Sequence, residues 1–382
     1  MKELQEIIKA YEAVTRSGGT ACFVTVVHTS GSTYRRPGAH MLIYDGRSTV
    51  GTISGGCLEN DIVEKAKGVT FAGVPVLVTY DSTSPDDIVL GLGLGCSGVV
   101  HVLLERLTGK GGPDPLEAVS QCLRTRGGGA VAVVYKASGE LNSQVGTRFV
   151  LYADSTMMSD LTDADLIARV REDCGALLPA GRSQSVSYQT PKGMADVLIE
   201  VVRPPLSLVL CGAGPDAAPV VQFANDLGWH VTLVDSRSAY LNHERFTGAD
   251  RRVLSQPGEI ADQLPLTDID VAVIMTHNFN NDLQYLRSLL QSPVRYIGLL
   301  GPKSKAVRLL EQLGEEGFTP TKEQLARLYY PVGLDIGAES PEAIALAIVA
   351  EIQAVVTGHA GGLLRSRSGP IHTNSPRDAH LA

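Results

Sequence analysis

Two glycine-flanked cysteines are the residues of this chain best equipped for chemistry. One lies in Ile53-Ser54-Gly55-Gly56-Cys57-Leu58-Glu59, the other in Gly91-Leu92-Gly93-Leu94-Gly95-Cys96-Ser97-Gly98. A thiolate is a soft nucleophile and metal ligand, and neighbouring glycines let a ligand approach the backbone. The sequence places Cys57 at a turn leading into a helix, whose N-terminal amides would stabilise a thiolate. Taken singly, each cysteine is equally well explained as a small buried residue at a tight turn. Two such loops close together favour a shared cleft. Between strand positions, His28-Thr29-Ser30-Gly31-Ser32-Thr33-Tyr34-Arg35-Arg36-Pro37-Gly38 gathers hydroxyls and two guanidinium groups. Arg35 and Arg36 would suit an anion, although an ordinary polar connection has the same composition.

A second constellation lies downstream. Leu208-Val209-Leu210-Cys211-Gly212-Ala213-Gly214-Pro215-Asp216-Ala217 reads as a buried strand, a tight turn and a helix start. Gly212, Gly214 and Ala217 satisfy G-x-G-x-x-G/A, in which the first glycine permits the turn and the second admits a pyrophosphate. Pro215 is expected in the first helical turn, where its missing N–H matters least. The next strand ends at Asp235, where a carboxylate can bond ribose hydroxyls. Thr276-His277 ends a further apolar strand, and Gly298-Leu299-Leu300-Gly301-Pro302-Lys303-Ser304-Lys305 ends another and opens a helix with cations. His277 and Gly301 therefore fall where doubly wound sheets collect ligands. A strand-end histidine also serves purely structural ends.

The elements that must position these residues follow from periodicity. Leu4, Ile7, Ile8, Tyr11 and Val14 recur at helical spacing, so the chain opens with an amphipathic helix. Strands are expected at 23–27, 41–44, 76–80 and 99–104, with a helix near 58–67, giving an α/β domain over 1–107. Residues 108–115 are rich in Gly and Pro and read as a linker. Segment 116–202 reads as an α/β annex of the first domain. Arg203-Pro204-Pro205 then separates the halves, because consecutive prolines suit neither ladder nor helix. From 206 to 357 strands alternate with helices, which implies a doubly wound parallel sheet of Rossmann type. The polar stretch 358–382 is expected to be a flexible tail.

Composition narrows the classes. The 382 residues suit two or three compact units rather than one core. A formal net charge of −8 disfavours nucleic acid as a partner. No apolar run is long enough for a membrane span, and the charged N-terminus does not resemble a signal peptide. Six cysteines without C-x-x-C spacing are expected to be reduced thiols in a cytoplasmic protein. Helices at 4–14 and 342–356 would provide a homodimer contact, though packing within their own domains explains their apolar faces equally well.

These loops, in this order, resemble the xanthine dehydrogenase accessory factor family (the XdhC/CoxI family). The matching stretches are Arg36-Pro37-Gly38-Ala39, Ser54 to Glu59, Gly91 to Cys96, Arg203-Pro204-Pro205 before the Gly212 turn, Val273 to His277, Tyr296 to Gly301 and Pro331-Val332-Gly333-Leu334-Asp335-Ile336-Gly337. The resemblance implies a maturation chaperone rather than an enzyme. Such a protein binds molybdenum cofactor, protects it while a cysteine desulfurase installs a sulfido ligand, and passes it to a xanthine or CO dehydrogenase-type molybdenum hydroxylase. On this resemblance Cys57 is the thiol that contacts molybdenum, with Cys96 as a second candidate, and Gly55, Gly56 and Gly95 give the cofactor room. Many members carry a histidine where this chain has Pro215, so no role of that histidine transfers. Read alone, Gly212 to Asp235 suggests an NAD(P)-dependent oxidoreductase with His277 as proton donor, and a non-catalytic scaffold is a third reading.

Overall fold

The computed structural model describes residues 1–82, 98–107, 114–125 and 127–368. The chain divides after Pro205 into two compact units.

The first unit is one element order written twice. Its first half runs α1 (Lys2–Arg16), β1 (Ala21–Gly31), β2 (His40–Tyr44), β3 (Ser48–Gly51), α2 (Glu59–Ala72), β4 (Val76–Asp81) and β5 (Gly98–Leu107). The segment expected as an annex repeats that order as α3 (Pro115–Arg124), β6 (Gly129–Gly139), β7 (Arg148–Tyr152), β8 (Met157–Ser159), α4 (Ala164–Ala180), β9 (Gln184–Thr190) and β10 (Gly193–Val202). The two five-stranded sheets have corresponding strand orders, β3-β2-β1-β5-β4 and β8-β7-β6-β10-β9. Their registers agree. Ala21 faces Tyr44 and Leu107, as Gly129 faces Tyr152 and Val202. A bulge leaves Val27 unpaired against β5 and Tyr135 unpaired against β10, at the same place in each sheet.

The central strand β1 is a continuous apolar run because both of its faces are covered. Cys22, Val24 and Val26 pack with Ile62 and Ala66 of α2, while Ala21 and Phe23 pack with Ile7 and Tyr11 of α1. The halves are sewn together by apolar contact and by polar pairs exchanged between them. Val27 and Leu103 of the first half meet Val133, Tyr135 and Leu198 of the second. Glu105 on β5 takes the guanidinium of Arg148 on β7, and Glu200 on β10 takes His40 on β2 at 2.9 Å. His40 and Arg148 hold corresponding registers, opposite Thr25 and Val133. So do Glu105 and Glu200, opposite Phe23 and Val131.

The second unit is a six-stranded parallel sheet ordered β13-β12-β11-β14-β15-β16. Its strands are β11 (Ser207–Cys211), β12 (His230–Asp235), β13 (Arg251–Leu254), β14 (Val271–Ile274), β15 (Tyr296–Leu299) and β16 (Leu328–Tyr329). Its longer helices are α5 (Ala217–Asp226), α6 (Phe279–Gln291), α7 (Lys303–Glu315) and α8 (Pro341–Thr357). Strand order reverses between β11 and β14, which opens a crevice at their carboxyl ends. Pro215 stands just before α5, whose N-cap is Asp216, rather than within its first turn. The strands that periodicity did not reveal, β3, β8, β9, β13 and β16, all lie at or next to a sheet edge, where alternation is weakest.

Candidate functional site

The Cys57 loop is shaped by one carboxylate. Glu59, the first residue of α2, turns back and accepts hydrogen bonds from the amides of Ile53 (3.2 Å), Ser54 (2.9 Å), Gly56 (2.9 Å) and Leu58 (3.1 Å). The hydroxyls of Thr52 (2.6 Å) and Ser54 donate to it as well. Burial works against its ionisation, but the bonds from Ser54 and Thr52 outweigh that and hold its carboxyl down at about 2. The amides expected to face a thiolate at Cys57 are thus partly engaged by Glu59. Gly55 and Gly56 take φ of 80° and 113°, which side-chain-bearing residues rarely adopt, and their turn leaves Cys57 exposed.

A crevice beside this thiol is lined by Thr33, Tyr34, Ser54, Cys57, Ser82 and Gly98. Tyr34 is 68% exposed, and its ring lies so close over Gly55 that a Cβ there would come within 2.9 Å of it. The hydroxyl of Ser82 donates to Gly98 O (2.7 Å) and accepts from Gly98 N (3.0 Å). That clasp joins Ser82 to Gly98 at the crevice wall. Gly95 and Cys96 lie within 83–97, outside the described residues.

The arginine pair separates. Arg35 donates to Glu3 at 2.6 and 3.3 Å, while Glu3 also accepts from Thr52 N (2.7 Å), so Glu3 fastens α1 both to Arg35 and to the residue after β3, just before the cysteine loop. Arg36 is exposed. The other described thiols are buried, and burial pushes Cys22, Cys122 and Cys174 up to about 12 and Cys211 up as well.

In the second unit, Gly212 adopts φ 116°, and a Cβ there would meet Met275 O at 2.6 Å, so only glycine fits this turn. Asp235 ends β12 as expected, but its carboxylate faces inward. It accepts from Ala213 N (2.7 Å), from Arg237 N (2.8 Å) and from the Arg237 guanidinium at 2.9 and 2.8 Å. Burial opposes its ionisation, while the Arg237 and Ala213 bonds outweigh it and lower its pKa. A ribose hydroxyl would have to displace one of these donors. Arg237 in turn lies over the Tyr240 ring, 3.9 Å from its centroid.

His277 has a left-handed backbone, φ 57°, and its Nε2 lies 2.7 Å from Asp216 Oδ2. This pair reaches from the end of β14 to the start of α5, next to Gly214. Gly301, at φ 125°, follows β15 and is covered by the Lys305 side chain. Lys305 donates to Leu300 O (3.1 Å) and is the counter-ion of Asp282, whose other oxygen accepts from the Thr276 hydroxyl at 2.6 Å. Sequence reasoning missed Glu59, Asp216, Arg237 and Asp282. Only Glu59 gave a signal, three residues beyond the second loop glycine. Among the described residues there is no group of three or more His, Cys, Asp or Glu side chains placed to hold a metal ion, and no helix long and apolar enough to cross a membrane.

An α/β unit with an exposed cysteine loop, followed by a Rossmann unit, defines a class that comparison with known proteins identifies. Residues 14–81 match the XdhC and CoxI family and residues 208–352 match the XdhC Rossmann domain. The chain is 31% identical over 341 residues to a protein of Bacillus subtilis (strain 168) described as a probable xanthine dehydrogenase component, covering 89% of this chain and 94% of the relative. It is 25% identical over 342 residues to the molybdenum cofactor insertion chaperone PaoD of Escherichia coli (strain K12), covering 89% of this chain and 84% of that one. A crystal structure described as a xanthine dehydrogenase from Bacillus halodurans superposes with a TM-score of 0.71 at 29% identity, covering 94% of this chain and 98% of the other. The chain belongs to the XdhC and CoxI family.

Proposed function

We propose that this chain is a maturation factor that takes molybdenum cofactor as cargo, shelters it during sulfuration and delivers it to a molybdenum hydroxylase of the xanthine or CO dehydrogenase type. One observation carries the reading. In a chain of this family, an exposed thiol stands at a helix start beside a crevice rich in hydroxyl groups. The donor set fits the cargo. Cys57 supplies the soft sulfur that a molybdenum–dithiolene centre accepts. The hydroxyl oxygens of Thr33 and Ser54, whose protons go to Arg35 O and Glu59, would accept from the N–H edge of a pterin, and the exposed Arg36 suits its phosphate. The cargo itself brings the metal and the dithiolene. The chain's residues bind it, orient it and limit its contact with water. Cys96 would be a second candidate thiol for the cargo. A cysteine desulfurase, homodimerisation and a cytoplasmic setting complete the proposal.

The test is co-purification from cells that make the cofactor, with molybdenum and pterin measured per chain. Wild-type protein should retain both, and Cys57→Ala should lower retention at least about tenfold, equivalent to about 1.4 kcal/mol. Absence of cofactor from the wild type, or equal retention by the variant, refutes the proposal.

The second unit would hold NAD(P) or another nucleotide against Gly212, Gly214 and Gly301, with Asp235 and His277 at its rim. The His277–Asp216 couple beside Gly214 favours a second reading, an NAD(P)-dependent oxidoreductase, because an imidazole paired with a carboxylate can carry a proton. Titration with NAD and NADP separates the two, since saturable binding with turnover supports the oxidoreductase and no binding removes it.

A further inference from the structure

We infer that Glu59 builds the cysteine loop by standing in for a helical turn that the first half of the unit lacks. The inference rests on the reading of Cys57 as the thiol that meets the cargo.

The duplicated halves supply the comparison. Tyr80 and Tyr188 answer to one another, each donating at 2.5 Å to an aspartate of the preceding helix. The left-handed glycines that end those helices, Gly73 and Gly181, correspond as well. Counting back from them, Leu58, Ile62 and Ala66 fall on Leu166, Val170 and Cys174, and all six are buried. The match then places Gly56 and Cys57 on Ala164 and Asp165. In the second half those two residues form the first turn of α4, whereas in the first half α2 begins only at Glu59. The Cys57 loop is therefore a helix start that has been unwound.

The amides before and at a helix start have no partner within the helix and must be satisfied locally. Each amide withdrawn from water and left without a partner costs about 1–3 kcal/mol. Glu59 collects these amides, taking those of Ile53, Ser54, Gly56 and Leu58 on one carboxylate. The corresponding residue of the second half is Ile167, which packs against the apolar core. Asp165, in the place of Cys57, is an ordinary exposed residue of a regular turn. Carboxylate and unwound turn thus occur together in one half and are missing together from the other. Glu59 is a positioning residue. It holds Cys57 off the helix and beside the crevice before any cargo arrives, which lowers the ordering cost of binding.

Glu59→Gln keeps the size but adds donors where the loop offers donors, and Glu59→Ile copies the second half. Iodoacetamide labelling, followed by peptide mass mapping of Cys57, reads the loop without any cargo. Amides freed from Glu59 can turn to the thiolate, so labelling should quicken about fivefold or more in both variants. Cofactor retention should fall to the Cys57→Ala level, Cys57→Ala/Glu59→Gln should lose no more than Cys57→Ala alone, and Glu59→Asp should restore part of it. Ser54→Ala, which removes a donor from the other side, should move labelling in the same direction and serves if the Glu59 variants do not fold. Wild-type labelling and retention in Glu59→Gln overturn the inference. So does a loss of retention that adds to that of Cys57→Ala while labelling stays unchanged. If wild-type protein carries no cofactor, the proposed function fails, and the labelling rates still decide the role of Glu59.

Discussion

Lys305→Met would withdraw a charge from the interior of the second unit and leave its partner behind. Asp282 is fully buried, and its Oδ1 accepts from the Thr276 hydroxyl at 2.6 Å. Its Oδ2 makes no hydrogen bond among the described residues and has the Lys305 ammonium as counter-ion. Removing one partner of a buried pair costs about 3–5 kcal/mol, because the remaining charge stays desolvated. The Lys305 side chain is 22% exposed, so water reaches the pair from one side and the lower figure, about 3 kcal/mol, is expected. With a urea dependence of about 1–3 kcal/mol/M, the unfolding midpoint should fall by about 1–3 M. Trp229, the only tryptophan and a buried residue of this unit, provides the fluorescence signal. Lys305→Met/Asp282→Leu should recover more than half of the loss, since no lone charge then remains. A cost below about 0.5 kcal/mol for Lys305→Met, or a double variant whose loss equals the sum of the single ones, would refute the argument.

Two further outcomes follow from the first unit. The Glu59 carboxylate is held at about 2 against an ordinary value of 4.5, so its stabilising bonds are fully present above about pH 4.5 and are lost as pH falls through about 2. A carbon-13 titration of this carboxyl should show that midpoint, and one at 4.5 or above contradicts the hydrogen-bond network. Arg148→Met leaves Glu105 buried and unpaired, and calorimetry should show a loss of about 3–5 kcal/mol, largely reversed in Glu105→Leu/Arg148→Met; a thermally neutral Arg148→Met contradicts the seam.

The Rossmann unit was legible because its signals are local. A buried strand, glycine turn, helix and second strand follow one another within Leu208 to Asp235, and each needs only its neighbours to be read. The duplication was not legible, because fold position and not residue type is repeated. His40 answers to Arg148, and around Tyr80 and Tyr188 the cation and the carboxylate stand in opposite order along their helices, Asp61 then Lys65 against Arg169 then Asp173. The exposure of Cys57 was not legible either, since flanking glycines suit a small buried residue at a tight turn as well as an open thiol. Nor was the inward turn of Asp235, since nothing in the spacing says that Arg237 folds back onto it. Arg35 likewise looked free for an anion until its distant partner Glu3 was seen.

The exchanged polar pairs of the first unit bear on how the chain can be cut. Glu105 has the Arg148 guanidinium and Glu200 the His40 imidazole across the seam, so severing the halves would take that partner from a carboxylate in either fragment. The first half contains the whole described cysteine loop, yet it is not an excisable binding module. Residues far along the chain, on β7 and β10, underwrite a thiol they never touch, and lesions there should reach cargo handling through cooperative unfolding rather than contact.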